Sequence, residues 1–176
     1  MGHKTHPVGF RLGIVKDWDA RWFAGDQKSY RETLLEDLRL RKAINQKYMD
    51  ADVARVEIER NTQEVVLTIH TARPGMVIGR QGQKVDELKS SLMALTKKKI
   101  RLNVQEIRQP ETNAFLVAQN IVSQLEKRVS YRRALQQAAT RSMQAGVEGI
   151  KVLISGRLNG AEIARKDKVM MGRVPL

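Results

Sequence analysis

Hydrophobic positions change period several times along the chain, and each change marks an element. From Ser29 to about Tyr48, Leu34, Leu35, Leu38 and Ile44 recur at helical spacing. Ser29-Tyr30-Arg31-Glu32 has the S-x-x-E form of a capping box, so the pattern predicts a helix opening there. Ala54, Val56 and Ile58 then alternate with Arg55, Glu57 and Glu59, and Val65, Leu67 and Ile69 with Val66, Thr68 and His70. These read as two half-buried strands joined through Asn61-Thr62-Gln63. Helical spacing returns at Val85, Leu88, Leu92 and Leu95, and alternation at Ile100, Leu102 and Val104. Beyond Pro110, Thr112 or Asn113 can cap a helix with Ala114, Val117, Ile121, Leu125 and Val129 on one face. The alanine-rich stretch from Tyr131 to Ala145 predicts another, ending near Gly146. Ile150, Val152 and Ile154 alternate again, Asn159-Gly160 carries the type I′ hairpin signal, and Ala161 to Met171 returns as an extended segment. The fold class expected is α+β, with an N-terminal arm over 1–28, a sheet covered on one face by helices over 29–109, and a second small α/β domain over 110–176.

Between the second strand and the helix at Val85 runs Gly75-Met76-Val77-Ile78-Gly79-Arg80-Gln81-Gly82-Gln83-Lys84. Two glycines separated by two residues let the backbone turn sharply at a helix mouth, where unpaired N–H groups and the helix dipole attract a phosphate. Arg80 and Lys84 add positive charge at the same end. A Walker loop would need Lys-Ser/Thr after Gly82, and the dinucleotide fingerprint would need a glycine where Val77 stands. The stretch resembles the GXXG loop of KH domains, which clamps the backbone of about four nucleotides. The order helix, strand, strand, GXXG helix, strand is similar to the prokaryotic-type (type II) KH arrangement.

Charge strengthens this reading. Thirty-two Lys and Arg face nineteen Asp and Glu, a formal net charge of +13, which points to a polyanion partner. An anionic membrane is the rival, but no long apolar run and no signal peptide is present, so no membrane partner is expected. With no cysteine, disulfides, thiolate zinc sites and cysteine nucleophiles are excluded together, and a reducing compartment fits. Aromatic residues are too few for base stacking in the manner of an RRM, so recognition should lean on phosphates and shape. The first sixteen residues carry Lys4, Arg11 and Lys16 without an acid, which suits a basic arm that orders against RNA. Trp18, Trp22 and Phe23 read as core packing, with docking of a partner protein as the alternative. From Lys127 through Val147 there are Lys127, Arg128, Arg132, Arg133 and Arg141 and no carboxylate.

Nothing in the chain assembles into catalytic chemistry. His3 and His6 lack a Cys or a nearby carboxylate to complete a metal site, and His70 sits on one face of a strand. No serine lies in a G-x-S-x-G pattern. No cofactor, no metal and no enzymatic activity are expected.

Three blocks then carry a closer resemblance. Met1-Gly2-His3-Lys4-Thr5-His6-Pro7-Val8-Gly9-Phe10-Arg11-Leu12-Gly13-Ile14, Thr68-Ile69-His70-Thr71-Ala72-Arg73-Pro74-Gly75, and Ser155-Gly156-Arg157-Leu158-Asn159-Gly160-Ala161-Glu162-Ile163-Ala164-Arg165 are similar to the bacterial form of small-subunit ribosomal protein three. The resemblance runs to Gly172-Arg173-Val174-Pro175-Leu176. It implies a place in the head of the small ribosomal subunit, in the cytoplasm or an organelle, on small-subunit rRNA beside the tenth and fourteenth small-subunit proteins. With the fourth and fifth proteins it implies a share in the mRNA entrance, where basic residues of the family help to open mRNA duplexes. The positions expected on rRNA are Gly2, Lys4, His6, Arg11, Arg128, Arg157 and Arg165. Those of the KH loop are Gly79, Arg80, Gln81, Gly82 and Lys84, and those matching the mRNA entrance are Arg132 and Arg133. Two departures stand out. Gln136 occupies a position where family members often carry a third cation, so unwinding is expected to be weaker. Family members also continue past the Gly-Arg-Val-Pro motif with further strands, so the second domain is expected to be incomplete, with an open sheet edge.

Two other functions compete. One is a free-standing KH regulator of single-stranded RNA, which needs only the first domain. The other is a nucleic-acid lyase or nuclease, for which Lys84, beside the phosphate-binding turn, is the lysine to test.

Overall fold

A computed structural model describes residues 3, 5–61, 63–96 and 98–174. The chain divides into two compact units, Met1–Glu106 and Ile107–Leu176. The first begins with a short helix α1 (Pro7–Arg11) and strand β1 (Ala20–Arg21), followed by helix α2 (Gln27–Lys47) and strands β2 (Val53–Arg60) and β3 (Glu64–Thr71). Helices α3 (Pro74–Ile78) and α4 (Gln83–Met93) lead to strand β4 (Lys99–Glu106). The sheet order is β1-β2-β3-β4, with β2 and β3 antiparallel and both outer pairs parallel. The segment expected as a separate arm therefore supplies an edge strand, since Ala20 and Arg21 pair with Ile58 and Glu59.

Alternation in β3 works as its sequence implies. Val65, Leu67 and Ile69 are fully buried beneath α2, α3 and α4, with Leu40, Ile44, Val77, Leu88 and Leu92 facing them. In β2 the pairing slips between Val53 and Arg55, so Val53 is buried where Ala54 was expected. A bulge adds one residue to the strand and reverses the faces on its far side.

Helix α2 departs further from its sequence pattern. It starts at Gln27, and Tyr30 N–H already donates to Asp26 C=O at 2.9 Å, so Ser29 lies inside the first turn and no capping box forms. Its buried positions are Asp37, Leu40 and Ile44, whereas Leu34, Leu35 and Leu38 are exposed. The rotation follows from a polar anchor. The Asp37 carboxylate accepts from Arg60 Nε at 2.8 Å, Arg60 Nη2 at 2.5 Å and Trp22 Nε1 at 2.7 Å, and Glu36 takes Arg60 Nη1 at 2.7 Å. A buried charge must face its partner, and that requirement outweighs burying three leucines. The tryptophan cluster splits for the same reason. Trp22 is drawn into this network and stacks at a tilt on Tyr30, but Trp18 and Phe23 are exposed, against the expectation of core packing.

The second unit packs helices α5 (Ala114–Glu126) and α6 (Tyr131–Gln144) on a two-stranded antiparallel sheet of β5 (Gly149–Gly156) and β6 (Arg165–Gly172). Asn113 caps α5, its Oδ1 accepting from Phe115 and Leu116 N–H. Ile121, Tyr131, Leu135 and Ala138 form the core with Val152, Ile154 and Val169 of the inner sheet face. Asn159 (φ 55°, ψ 28°) and Gly160 (φ 75°) adopt type I′ angles, closed by Ala161 N–H on Leu158 C=O. They sit within a longer connection over 157–164, however, and the return strand begins at Arg165 rather than Ala161.

Candidate nucleic-acid interface

The GXXG loop joins two helices, because the five-residue α3 intervenes after β3. Pro74 at its first turn was its signal, but five residues are too few to show a period. The loop itself is one tight turn, Arg80–Gly82. Gly79 has φ 71° and ψ −174°, a region that essentially only glycine occupies. A Cβ there would lie 2.7 Å from Lys84 Cγ, so the Lys84 stem is laid across the bare Cα. Gly82, with φ 81° and ψ 0°, is left-handed and has open space where its Cβ would be. Arg80 and Lys84 are exposed.

Behind the loop the buried Tyr48 hydroxyl reaches both flanking helices, 3.1 Å from Lys84 C=O and 3.4 Å from Val77 C=O. Burial, and then the charge of Glu87, hold its pKa above the usual phenol value, so it remains a hydroxyl donor at neutral pH. At the start of α3, Arg73 Nε meets Asp52 at 2.9 Å. The outcome is a turn with braced ends and an exposed basic surface at the mouth of an eleven-residue helix, whose first N–H, that of Gln83, is donated to Arg80 C=O and whose dipole adds positive potential there. That geometry suits a phosphate.

The N-terminal positions behave differently. Gly2 and Lys4 lie outside the described residues. His6 Nδ1 accepts from Gly9 N–H at 3.2 Å as the cap of α1, and Arg11 donates back to Pro7 C=O at 2.8 Å. Arg21 is paired with Asp17 and Glu59. The Asp17 carboxyl lies below its ordinary pKa, first because Trp18 N–H donates to it and then through Arg21.

In the second unit α6 presents Arg132, Arg133, Gln136, Gln137, Thr140 and Arg141 outward, and an open groove runs along Arg133, Gln136, Gln137, Thr140, Arg141 and Gln144. The two arginines expected at the mRNA entrance are not equivalent. Arg132 Nε donates to Tyr131 Oη at 3.2 Å, with its guanidinium 5.8 Å from that ring centroid. This bond, with some help from Asp167, holds Arg132 even more firmly protonated than usual. Arg133 lines the groove with Arg141, a residue of the basic run that the sequence pattern had not assigned to a site. Arg157 closes the β5–β6 connection through Nε to Ala161 C=O at 2.9 Å, and Arg165 opens β6 opposite Gly156.

Arg128 is the outlier. Its φ is 61°, and it occupies the left-handed position that ends α5, with its N–H on Leu125 C=O and Val129 N–H on Gln124 C=O. At the end of α6 the same motif carries Gly146. A side chain in that conformation costs about 1 kcal/mol. Arg128→Gly is therefore expected to keep the second unit within about 1 kcal/mol of its original stability. If the arginine serves RNA, the same change lowers RNA affinity severalfold. Thermal melting and fluorescence anisotropy on a labelled oligonucleotide check the two halves.

Twelve Lys and Arg and five Asp and Glu fall within residues 107–176. Among the described residues, every ion pair within 4 Å belongs to the first unit. The cations of the second unit thus face outward, and among the described residues none has a carboxylate oxygen within 4 Å. No group of three or more potential metal ligands, and no helix long and apolar enough to cross a membrane, occurs among the described residues.

The family model for the KH domain matches residues 39–112, and that for ribosomal protein S3, C-terminal domain, matches residues 121–176. The chain is 57% identical over its whole length to small ribosomal subunit protein uS3 of Dehalococcoides mccartyi, of which it covers 63%. It is 53% identical to uS3 of Carboxydothermus hydrogenoformans and 52% identical to that of Streptococcus pyogenes serotype M5, covering 79% and 80% of them. The chain thus spans about three fifths to four fifths of the length of these relatives, and it belongs to the family of small ribosomal subunit protein uS3.

Proposed function

We propose that the chain is a structural constituent of the small ribosomal subunit head that holds small-subunit rRNA and lines the mRNA entrance. The observation that carries this reading is the second unit's set of outward cations, none of which forms an ion pair within 4 Å among the described residues. Phosphates can meet that charge. In this reading His6, Arg11, Arg128, Arg157 and Arg165 serve rRNA, together with Gly2 and Lys4. Gly79, Arg80, Gln81, Gly82 and Lys84 form a phosphate clamp for single-stranded RNA. Arg132 and Arg133 face mRNA, and Arg132 does so with its Nε hydrogen-bonded to Tyr131. Neighbours would be the tenth and fourteenth small-subunit proteins in the head and the fourth and fifth at the entrance.

Sedimentation of the tagged chain from lysate through a sucrose gradient tests the assembly. It is expected to travel with the small subunit at low and high salt; recovery only at the top of the gradient would overturn the proposal. The entrance role has a separate test. Ribosomes carrying Arg132→Ala and Arg133→Ala should slow on messages with a stable hairpin more than on unstructured ones, and equal slowing removes that role.

A further inference from the structure

We propose that the outer face of the β5–β6 sheet is a second RNA-binding surface, separated from the α6 groove by the core of its own unit. In the register of the two strands Lys151 stands opposite Met170, Leu153 opposite Lys168, and Ser155 opposite Lys166. Because side chains alternate across a strand, these six share the face turned away from α5 and α6, and all six are exposed. The inner row, Ile150, Val152, Ile154, Val169 and Met171, packs toward the helices. Asp167 belongs to that inner row and accepts from Lys168 N–H at 2.9 Å, so the outer face bears three ammonium groups and no carboxylate.

Two features choose RNA as the occupant. Residues two apart on one strand are roughly 7 Å apart, so Lys166 and Lys168 present a short row of charges, with Lys151 on the neighbouring strand. None of the three takes part in an ion pair among the described residues, which leaves their charge to be met from outside. Leu153 and Met170, 57% and 46% exposed between the lysines, offer apolar contact to sugar and base edges. The two surfaces also differ in chemistry. The α6 groove offers planar guanidinium forks and side-chain amides, whereas the sheet offers compact point charges suited to a phosphate backbone. A unit that is basic on both sides of its core can hold two RNA segments at once.

The inference rests on the reading of the chain as an RNA-bound protein, and the test separates the two. Affinity of the full chain for a fluorescent single-stranded RNA is measured against salt for the wild type, for Lys151→Gln/Lys166→Gln/Lys168→Gln, for Arg132→Gln/Arg133→Gln/Arg141→Gln, and for all six together. Each neutralised phosphate contributes a slope of about −0.7 in log K against log salt, so each triple variant should be shallower by roughly 2 and their losses should add. Lys168→Gln alone, expected to flatten the slope by about 0.7, covers the case in which the triple variant melts early. A lysine triple variant that folds and keeps the wild-type slope, while the arginine variant flattens, overturns this surface and assigns the face to an acidic protein partner instead. A wild-type slope near zero overturns the RNA reading itself.

Discussion

Replacing Asp37 by alanine is expected to lower the melting midpoint of the first unit by more than about 10 °C, corresponding to about 3 kcal/mol or more. Asp37 is 3% exposed, and its partner Arg60 has a side chain 5% exposed. Removing the carboxylate leaves a buried guanidinium with only the half-exposed Glu36 beside it, and strips Trp22 Nε1 of its acceptor. Breaking a buried pair costs far more than an exposed one because the surviving charge has no water to replace its partner. Asp37→Asn keeps an oxygen for Trp22 and should fall between alanine and wild type. Both tryptophans lie in the first unit, so their fluorescence follows this transition alone. A loss under about 1 kcal/mol would mean that the leucines of α2 rotate inward to replace the ion pair, and that the anchor is dispensable.

The second large effect is expected at Gly79. Gly79→Ala should lower affinity for single-stranded RNA by tenfold or more and destabilise the loop by about 2 kcal/mol or more, whereas Gly82→Asn should cost about 1 kcal/mol or less. The contrast is conformational. Alanine at Gly79 meets both a forbidden φ/ψ pair and the base of the Lys84 side chain, with Lys84 Cβ 3.0 Å away as well as Cγ. Asparagine tolerates the left-handed region, and nothing lies within 4 Å of the Gly82 Cβ position. Relief at Gly79 requires Lys84 to move, and Lys84 C=O is held by Tyr48. Hydrogen exchange of the loop amides, together with anisotropy on labelled RNA, reads both effects. Equal tolerance at the two glycines would show that the loop conformation does not matter for binding.

Much of the first unit was legible because burial there is one-sided. The strict alternation of β3 and the spacing of Leu88 and Leu92 in α4 leave little choice of inward face. α2 was misread because it carries more leucines than its one buried face takes, and periodicity alone ranks apolar residues above an aspartate. Only the presence of Arg60 and Trp22 across the packing reverses that ranking. The bulge in β2 was hidden for a related reason. Ala54 and Val53 are both apolar enough to face inward, and only pairing with β3 decides between them.

The candidate interface divides the same way. Two glycines bounding Arg80-Gln81 were readable as a tight turn, since the backbone property is intrinsic to glycine. That Gly79 is the stringent one depends on where the folded turn lays the Lys84 side chain, and that Tyr48 braces both helices depends on contacts spanning 29 and 36 residues of sequence. The acid-free run from Lys127 was plain in the sequence, but Arg141, rather than Arg132, shares the groove with Arg133.

The amino-acid sequence by itself determined the order of elements, the basic character, the glycine turn and the absence of cysteine chemistry. Each of these is a local property, carried by spacing, charge or backbone freedom within a few residues. Tertiary structure alone decided which face of α2 is buried, which cations are paired and which remain free, and which lysines share a sheet face. Those depend on distances between residues far apart in the chain, where the cost of burying an unpaired charge outweighs local preference.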